Sequence, residues 1–248
     1  MGSAISLASV LMLGLLAGTV GGVVGFGTSI MLMPALVLVF GPREAVPIMA
    51  IAAIFANAGR VLAWWRDVDW RVTAAYSVTA IPAAILGVRT LLSLEPGLVE
   101  LLIGLFFIGM IGLRRWIARQ QWVMRLWHMA AVGAVIGYVT GVVVSTGPIN
   151  APFFLAYGLV KGAYLGTEAM GSLAVYGAKA LTFRAFDALP LATLTRGLVI
   201  GASLMAGAFI AKRLVLRIDA TRFELLMDAL LLVAGLSMLG SAVQTVAS

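Results

Sequence analysis

Apolar residues occur in long runs along the whole chain, separated by short clusters of glycine, proline and charged residues. Several runs are long enough to cross a hydrocarbon core as a helix of about 20 residues. Because a helix satisfies its own backbone groups in lipid, the pattern predicts an all-α, polytopic integral membrane protein. The predicted hydrophobic segments are 4–26, 28–40, 45–65, 70–92, 97–116, 124–145, 147–160, 164–185, 190–211 and 221–245.

Composition narrows the range of functions. The chain is 62% hydrophobic and 11% charged, and no stretch is polar enough to form a domain outside the membrane. The function is therefore expected within the bilayer, with membrane lipid as a partner. The net charge of +7 fits basic cytoplasmic loops, so no nucleic-acid partner is predicted. With no cysteine and with His128 as the one histidine, no cofactor and no metal site are expected.

The two halves of the chain resemble each other in their glycines. A ladder of three glycines recurs 119 residues later, and further glycine and proline pairs follow at nearly the same offset. The order and spacing predict an internal duplication, with a first repeat over residues 1–117 and a second over 118–248. Each repeat holds about five segments. The ladders are formed by Gly14, Gly18 and Gly22 and by Gly133, Gly137 and Gly141.

The distribution of basic residues predicts the orientation of the repeats. Lysines and arginines cluster around residues 60–71, 114–125 and 212–222, which the positive-inside rule places in the cytoplasm. The loop at 41–44 then faces outside, whereas its counterpart at Lys161 faces inside. The two repeats are therefore predicted to be inverted, with both termini outside. Inverted repeats are typical of secondary transporters, whose substrate sites lie near the membrane midplane.

The glycine ladders predict close helix packing, because small residues at this spacing let two backbones approach. The residues after each ladder combine glycine with hydroxyl and amide side chains, which favours a break in the helix. A helix that restarts at such a break presents free N–H groups to an anion. The alternative is that the hydroxyls only cap short helices. The candidate anion-binding residues are Gly25, Gly27, Thr28, Ser29, Ser145, Thr146, Gly147 and Asn150.

Ionisable residues inside hydrophobic segments are candidates for function. Arg60 and Lys179 are separated by the same offset as the ladders, and with Asn57 they are predicted to bind the substrate. Alternatively, the two long basic side chains reach the headgroups. Glu168 and Asp228 are candidates for proton coupling, although pairing with an arginine in a loop is the favoured alternative for both.

The chain resembles the TauE/SafE family of sulfite exporters. The residues that carry this resemblance are GGVVGFGTSIMLMPALVLVFGPREAVPIMA and WRDVDWRVTAAYSVTAIPAAILGVRTL in the first half and GVVVSTGPINAPFFLAYGLVKGAYLGTEAMGSL in the second. The resemblance covers nearly the whole chain. It implies transport of sulfite, organosulfonates or related sulfur oxyanions across the bacterial cytoplasmic (inner) membrane.

The predicted function is that of a secondary transporter that exports sulfite or a small sulfur-containing anion by alternating access. A passive channel for anions or small solutes is the alternative, because the same helix breaks could line a filter. An intramembrane enzyme is disfavoured, since the sequence holds no H-E-x-x-H motif and no Ser/His arrangement. A homodimer is left open.

Overall fold

The computed structural model describes residues 2–120, 122–143 and 146–214, together with Leu232, Leu236, Leu239 and Gly240. Within the continuous ranges the chain is helical, and no strand occurs in them. The prediction of an all-α, polytopic membrane protein is confirmed. Most of the predicted segment 221–245 lies outside the described residues, as do Ser145 and Asp228. The helices are α1 (Gly2–Val24), α2 (Thr28–Phe40), α3 (Pro42–Trp64), α4 (Trp70–Ser93), α5 (Pro96–Arg119), α6 (Leu126–Val142), α7 (Gly147–Ala156), α8 (Lys161–Ala185) and α9 (Leu191–Leu214).

Four stretches are long and apolar enough to cross a membrane by length and composition: Glu44–Asp67, Trp70–Ser93, Gly97–Ile117 and Leu191–Ala211. Helix α8 is not among them despite its 25 residues, and it carries Glu168 and Lys179 in its interior. Both side chains are buried within the protein. The most polar long helix is therefore shielded by the more apolar ones.

Two short helices follow breaks in the chain. Helix α2 has 13 residues and α7 has 10, which at 1.5 Å per residue is well below the roughly 30 Å of a hydrocarbon core. The break before α2 needs glycine, because Gly25 and Gly27 have φ angles of 89° and 106°. The break before α7 is followed by Pro148 in the first helical turn, where a missing N–H costs nothing. The predicted short helices are confirmed.

The first glycine ladder packs α1 against α9. A Cβ atom built on Gly18 would lie 2.2 Å from the carbonyl oxygen of Leu204, and one on Gly22 would lie 2.6 Å from the Cβ of Ala211. In return, a Cβ atom on Gly207 of α9 would meet the carbonyl oxygen of Leu15 at 2.3 Å. Contacts advance in the same sense along both helices, so α1 and α9 are parallel.

The second ladder packs α6 against α4 in the same way. A Cβ atom on Gly137 would lie 2.4 Å from the carbonyl oxygen of Ala80, and one on Gly87 would lie 2.2 Å from that of Tyr138. These helices are also parallel. The prediction that both ladders serve close helix packing is therefore confirmed, and each ladder has a reciprocal glycine on its partner.

The central helices α3 and α8 are antiparallel. Gly162, at the start of α8, packs against Trp64, at the end of α3, while Glu168 further along α8 contacts Arg60 one turn earlier in α3. The loop before α3 and the start of α8 consequently lie at opposite ends of this helix pair.

The remaining contacts fix the other directions. Helix α9 is parallel to α3, because Gly197 packs on Ile51 and Gly201 on Phe55. Helix α4 is parallel to α8. The hydroxyl of Thr167 in α8 accepts from the N–H of Asp69 just before α4. Gly171, four residues later, packs on Tyr76, seven residues after Asp69. Helices α1, α3 and α9 thus run one way, and α4, α6 and α8 run the other. The predicted duplication would pair α1 with α6, α3 with α8 and α4 with α9, and the two helices of each pair have opposite directions.

Candidate functional site

A cavity lies where the two breaks in the chain meet. Its volume is about 40 Å³, counted as the space open to the centre of a water molecule. Since one water needs about 10–15 Å³ on this measure, the cavity accommodates roughly three water-sized groups. The first half contributes Gly25, Gly27, Thr28, Ser29, Asn57 and Arg60 to its lining. The second half contributes Thr140, Thr146, Gly147, Glu168, Ser172 and Tyr176.

Arg60 is buried between the two halves, with 8% of the residue exposed. Its Nη1 donates to Oε2 of Glu168 at 2.8 Å and to the carbonyl of Gly25, and its Nη2 donates to Oδ1 of Asn57. Asn57 is itself held by a hydrogen bond from Nδ2 to the carbonyl of Ala53 at 2.8 Å. The predicted alternative, in which Arg60 reaches the headgroups, is wrong.

Lys179 is also buried, with 1% exposed. Its Nζ donates to the carbonyls of Thr140 and Val143, at 2.8 Å each, and lies 5.8 Å from the centre of the Phe183 ring. The headgroup alternative is wrong for this residue too. Lys179 does not line the cavity. It satisfies carbonyls at the C-terminal end of α6, which have no partners inside the helix.

Arg60 and Lys179 therefore have matching positions. Arg60 donates to the carbonyl of Gly25 just after α1, and Lys179 donates to carbonyls where α6 ends. Basic side chains are favourable at the negative ends of helix dipoles. Both residues stabilise the breaks that open the cavity, and in this conformation each donates hydrogen bonds to protein groups.

Glu168 is 2% exposed, and its carboxylate accepts hydrogen bonds from side chains on three helices. Besides Arg60, it accepts from Oγ of Ser172 at 2.7 Å and from Nδ2 of Asn150 at 3.2 Å. The prediction that Glu168 pairs with an arginine in a loop is wrong, because Arg60 lies in α3. Asn150 lies beside the cavity without lining it, and its Oδ1 is buried with no hydrogen-bond partner in the described part of the chain.

The N-terminal ends of α2 and α7 point their first turns at the cavity. Thr28, Ser29 and Gly147 are first-turn residues that line it, and first-turn N–H groups have no intrahelical acceptor. Thr146 precedes α7, but its side chain makes no capping bond. Its hydroxyl instead bonds that of Thr140 at 2.5 Å. The capping alternative is therefore wrong for Thr146.

Most predicted site residues lie together, but some polar lining residues were missed. Thr140, Ser172 and Tyr76 line the cavity without having been candidates. Ser172 follows Glu168 by one helical turn, a spacing that places both on one face and could have identified it. Within the described residues, no group of three His, Cys, Asp or Glu side chains could hold a metal ion.

The chain is similar to a known family of membrane proteins. The model of the family described as sulfite exporter TauE/SafE matches residues 10–238. No curated protein and no solved structure matches significantly.

Proposed function

The chain belongs to the sulfite exporter TauE/SafE family, and from this premise we propose that it is a secondary transporter that exports sulfite or a small organosulfonate. The family consists of transporters, and the helices are those of a multi-pass membrane protein. The proposed membrane is the bacterial cytoplasmic (inner) membrane, with both termini outside.

The observation that carries this proposal is the small polar cavity between the N-terminal ends of two short helices. Free N–H groups and the positive ends of helix dipoles favour an anion there. The hydroxyl group of Ser29 supplies a further donor, and that of Thr146 supplies another when it leaves Thr140. A volume suited to about three water-sized groups fits an anion with few heavy atoms, such as sulfite, better than a large organic substrate.

We propose that Thr28, Ser29, Thr146 and Gly147 contact the anion directly. Asn57 and Arg60 line the same cavity and join them when the contacts of Arg60 rearrange. Lys179 acts on the site through the end of α6 that it holds in place.

The proposed transport mode is alternating access between two inverted repeats, 1–117 and 118–248. Opposite directions of the corresponding helices support this division, and the proposed boundary falls two residues before the end of α5. In this fold type the site stays near the midplane while packed helices rock around it.

The first experiment measures flux of radiolabelled sulfite and methanesulfonate in proteoliposomes. A carrier gives slow, saturable flux with counterflow, whereas a channel gives conductance. Absence of flux for both sulfur anions would refute the proposed substrate class.

A pair of matched variants tests the site. Thr146→Val removes a cavity hydroxyl and is expected to raise KM for the anion about tenfold, the effect of roughly 1.4 kcal/mol in a hydrogen bond to a charged group. Thr195→Val removes an exposed hydroxyl that bonds the carbonyl of Leu191 and serves as the control, with KM unchanged. Equal KM values in the two variants would exclude Thr146 from the site.

A further inference from the structure

The carboxylate of Glu168 is an oxyanion that already occupies part of the proposed anion site. Its donors are a guanidinium from α3, an amide from α7 and a hydroxyl from α8, contributed by Arg60, Asn150 and Ser172. Arg60, Ser172 and Glu168 itself line the cavity. Three helices from both halves thus converge on one negatively charged group.

This donor set would recognise a transported oxyanion equally well. A guanidinium binds planar and tetrahedral oxyanions through charge-assisted hydrogen bonds, and hydroxyl and amide N–H groups complete the shell. With Glu168 in place, however, the charge of Arg60 is already neutralised by a contact of 2.8 Å. An incoming anion would meet repulsion from the carboxylate unless the ion pair opened.

We propose that Glu168 is a tethered competitor of the transported anion. In the empty protein its carboxylate holds the donors of Arg60 and Ser172, and the anion binds by displacing it. The inference rests on the proposed function and adds a means of release: when the carboxylate returns to Arg60, it expels the anion. A carrier needs such weakening, because a site that binds too tightly does not turn over.

If Glu168 competes with the anion, removing its charge should raise the affinity for sulfite and lower the maximal rate of transport. Glu168→Gln keeps the shape of the side chain but removes the competing charge and leaves Arg60 without a counter-ion. Even at an effective dielectric constant of about 20, two charges a few ångströms apart interact strongly enough that binding of sulfite should tighten on the order of tenfold to a hundredfold. The maximal rate of flux should fall, since release loses its competitor. A residue with only a structural role would not tighten binding when altered.

The experiment measures sulfite binding by calorimetry on the full-length chain in detergent under anaerobic conditions, and flux in proteoliposomes. The matched control is Glu44→Gln, which removes one carboxylate and the ion pair with Arg196 far from the cavity. Its affinity for sulfite should equal that of the original protein. Tighter binding by Glu168→Gln with slower flux supports the proposal, whereas equal or weaker binding overturns it.

A second variant, Glu168→Asp, keeps the proposal testable if Glu168→Gln does not fold. Glu168→Asp keeps the charge but shortens the side chain by one methylene, so the carboxylate reaches its three donors less well. Binding of sulfite should tighten by a smaller factor than in Glu168→Gln, and unchanged or weaker binding would contradict the competition. If the original protein and both variants neither bind nor transport sulfite or methanesulfonate, the proposed function itself fails.

Discussion

Gly18 gives the sharpest test of the packing between α1 and α9. In Gly18→Ala, the new Cβ atom would lie 2.2 Å from the carbonyl oxygen of Leu204 and 2.8 Å from its Cα and carbonyl carbon. A comfortable carbon–oxygen contact is about 3.3 Å or longer, so the helices must separate by roughly 1 Å. The opposing atoms are backbone and cannot rotate away.

The expected cost follows from this separation. A gap of about 0.5–1 Å forfeits a quarter to a half of each dispersion contact, and overpacking of this kind costs about 1–3 kcal/mol. Alanine recovers about 1 kcal/mol of helix propensity over glycine. Gly18→Ala should therefore be destabilised by up to about 2 kcal/mol. At Gly112 of α5, an added Cβ atom meets no described atom within 4 Å, so Gly112→Ala should retain only the gain in propensity.

The assay is thermal unfolding of the purified protein in one detergent, followed by the loss of the monodisperse peak in size-exclusion chromatography. Gly18→Ala should unfold at a lower temperature than the original protein, and Gly112→Ala at the same or a higher temperature. If Gly18→Ala is as stable as Gly112→Ala, the close approach of α1 and α9 is not what makes glycine necessary there.

Three further outcomes are expected. Lys179→Met should lower stability by about 2–6 kcal/mol, because it leaves the two carbonyls at the end of α6 unpaired, while Lys179→Arg should cost less in the same unfolding assay. Gly158→Ala should cost about 1–2 kcal/mol from its φ of 102° alone, since no described atom obstructs a Cβ atom; a larger loss of thermal stability would contradict this. Single cysteines at Glu44 and Val160 should react with impermeant maleimide from opposite membrane faces, and labelling from one face would refute the inverted arrangement.

The helices were predictable because their signals are local. Runs of apolar residues delimited them to within a few residues; α3, for example, was predicted over 45–65 and is observed over Pro42–Trp64. The breaks were equally local, since Gly25 and Gly27 interrupt a hydrophobic run. The partners of the glycine ladders were not predictable, because α1 meets α9 only after almost the whole chain has folded.

The contacts within the site illustrate the same limit. Arg60 and Glu168 were identified singly as intramembrane charges, but their pairing joins residues 108 positions apart and depends on the antiparallel crossing of α3 and α8. Thr140 resembles an ordinary small polar residue of a membrane helix, so no local pattern marks it. The offset in sequence related Arg60 to Lys179, and each of them donates to a carbonyl next to a helix break. Their roles at the helix breaks depended on where α1 and α6 end.

Each of the two parallel helix pairs joins one helix from the first half of the chain to one from the second. Helix α1 of the first half has its closest partner in α9 of the second, and α4 of the first half has its closest partner in α6. A polypeptide ending near residue 117 would leave the small-residue faces of α1 and α4 without their matching surfaces. The halves are therefore not separable modules. Ribosomal synthesis must reach α9 before α1 acquires its permanent neighbour, so α1 stays without it until most of the second half has been made.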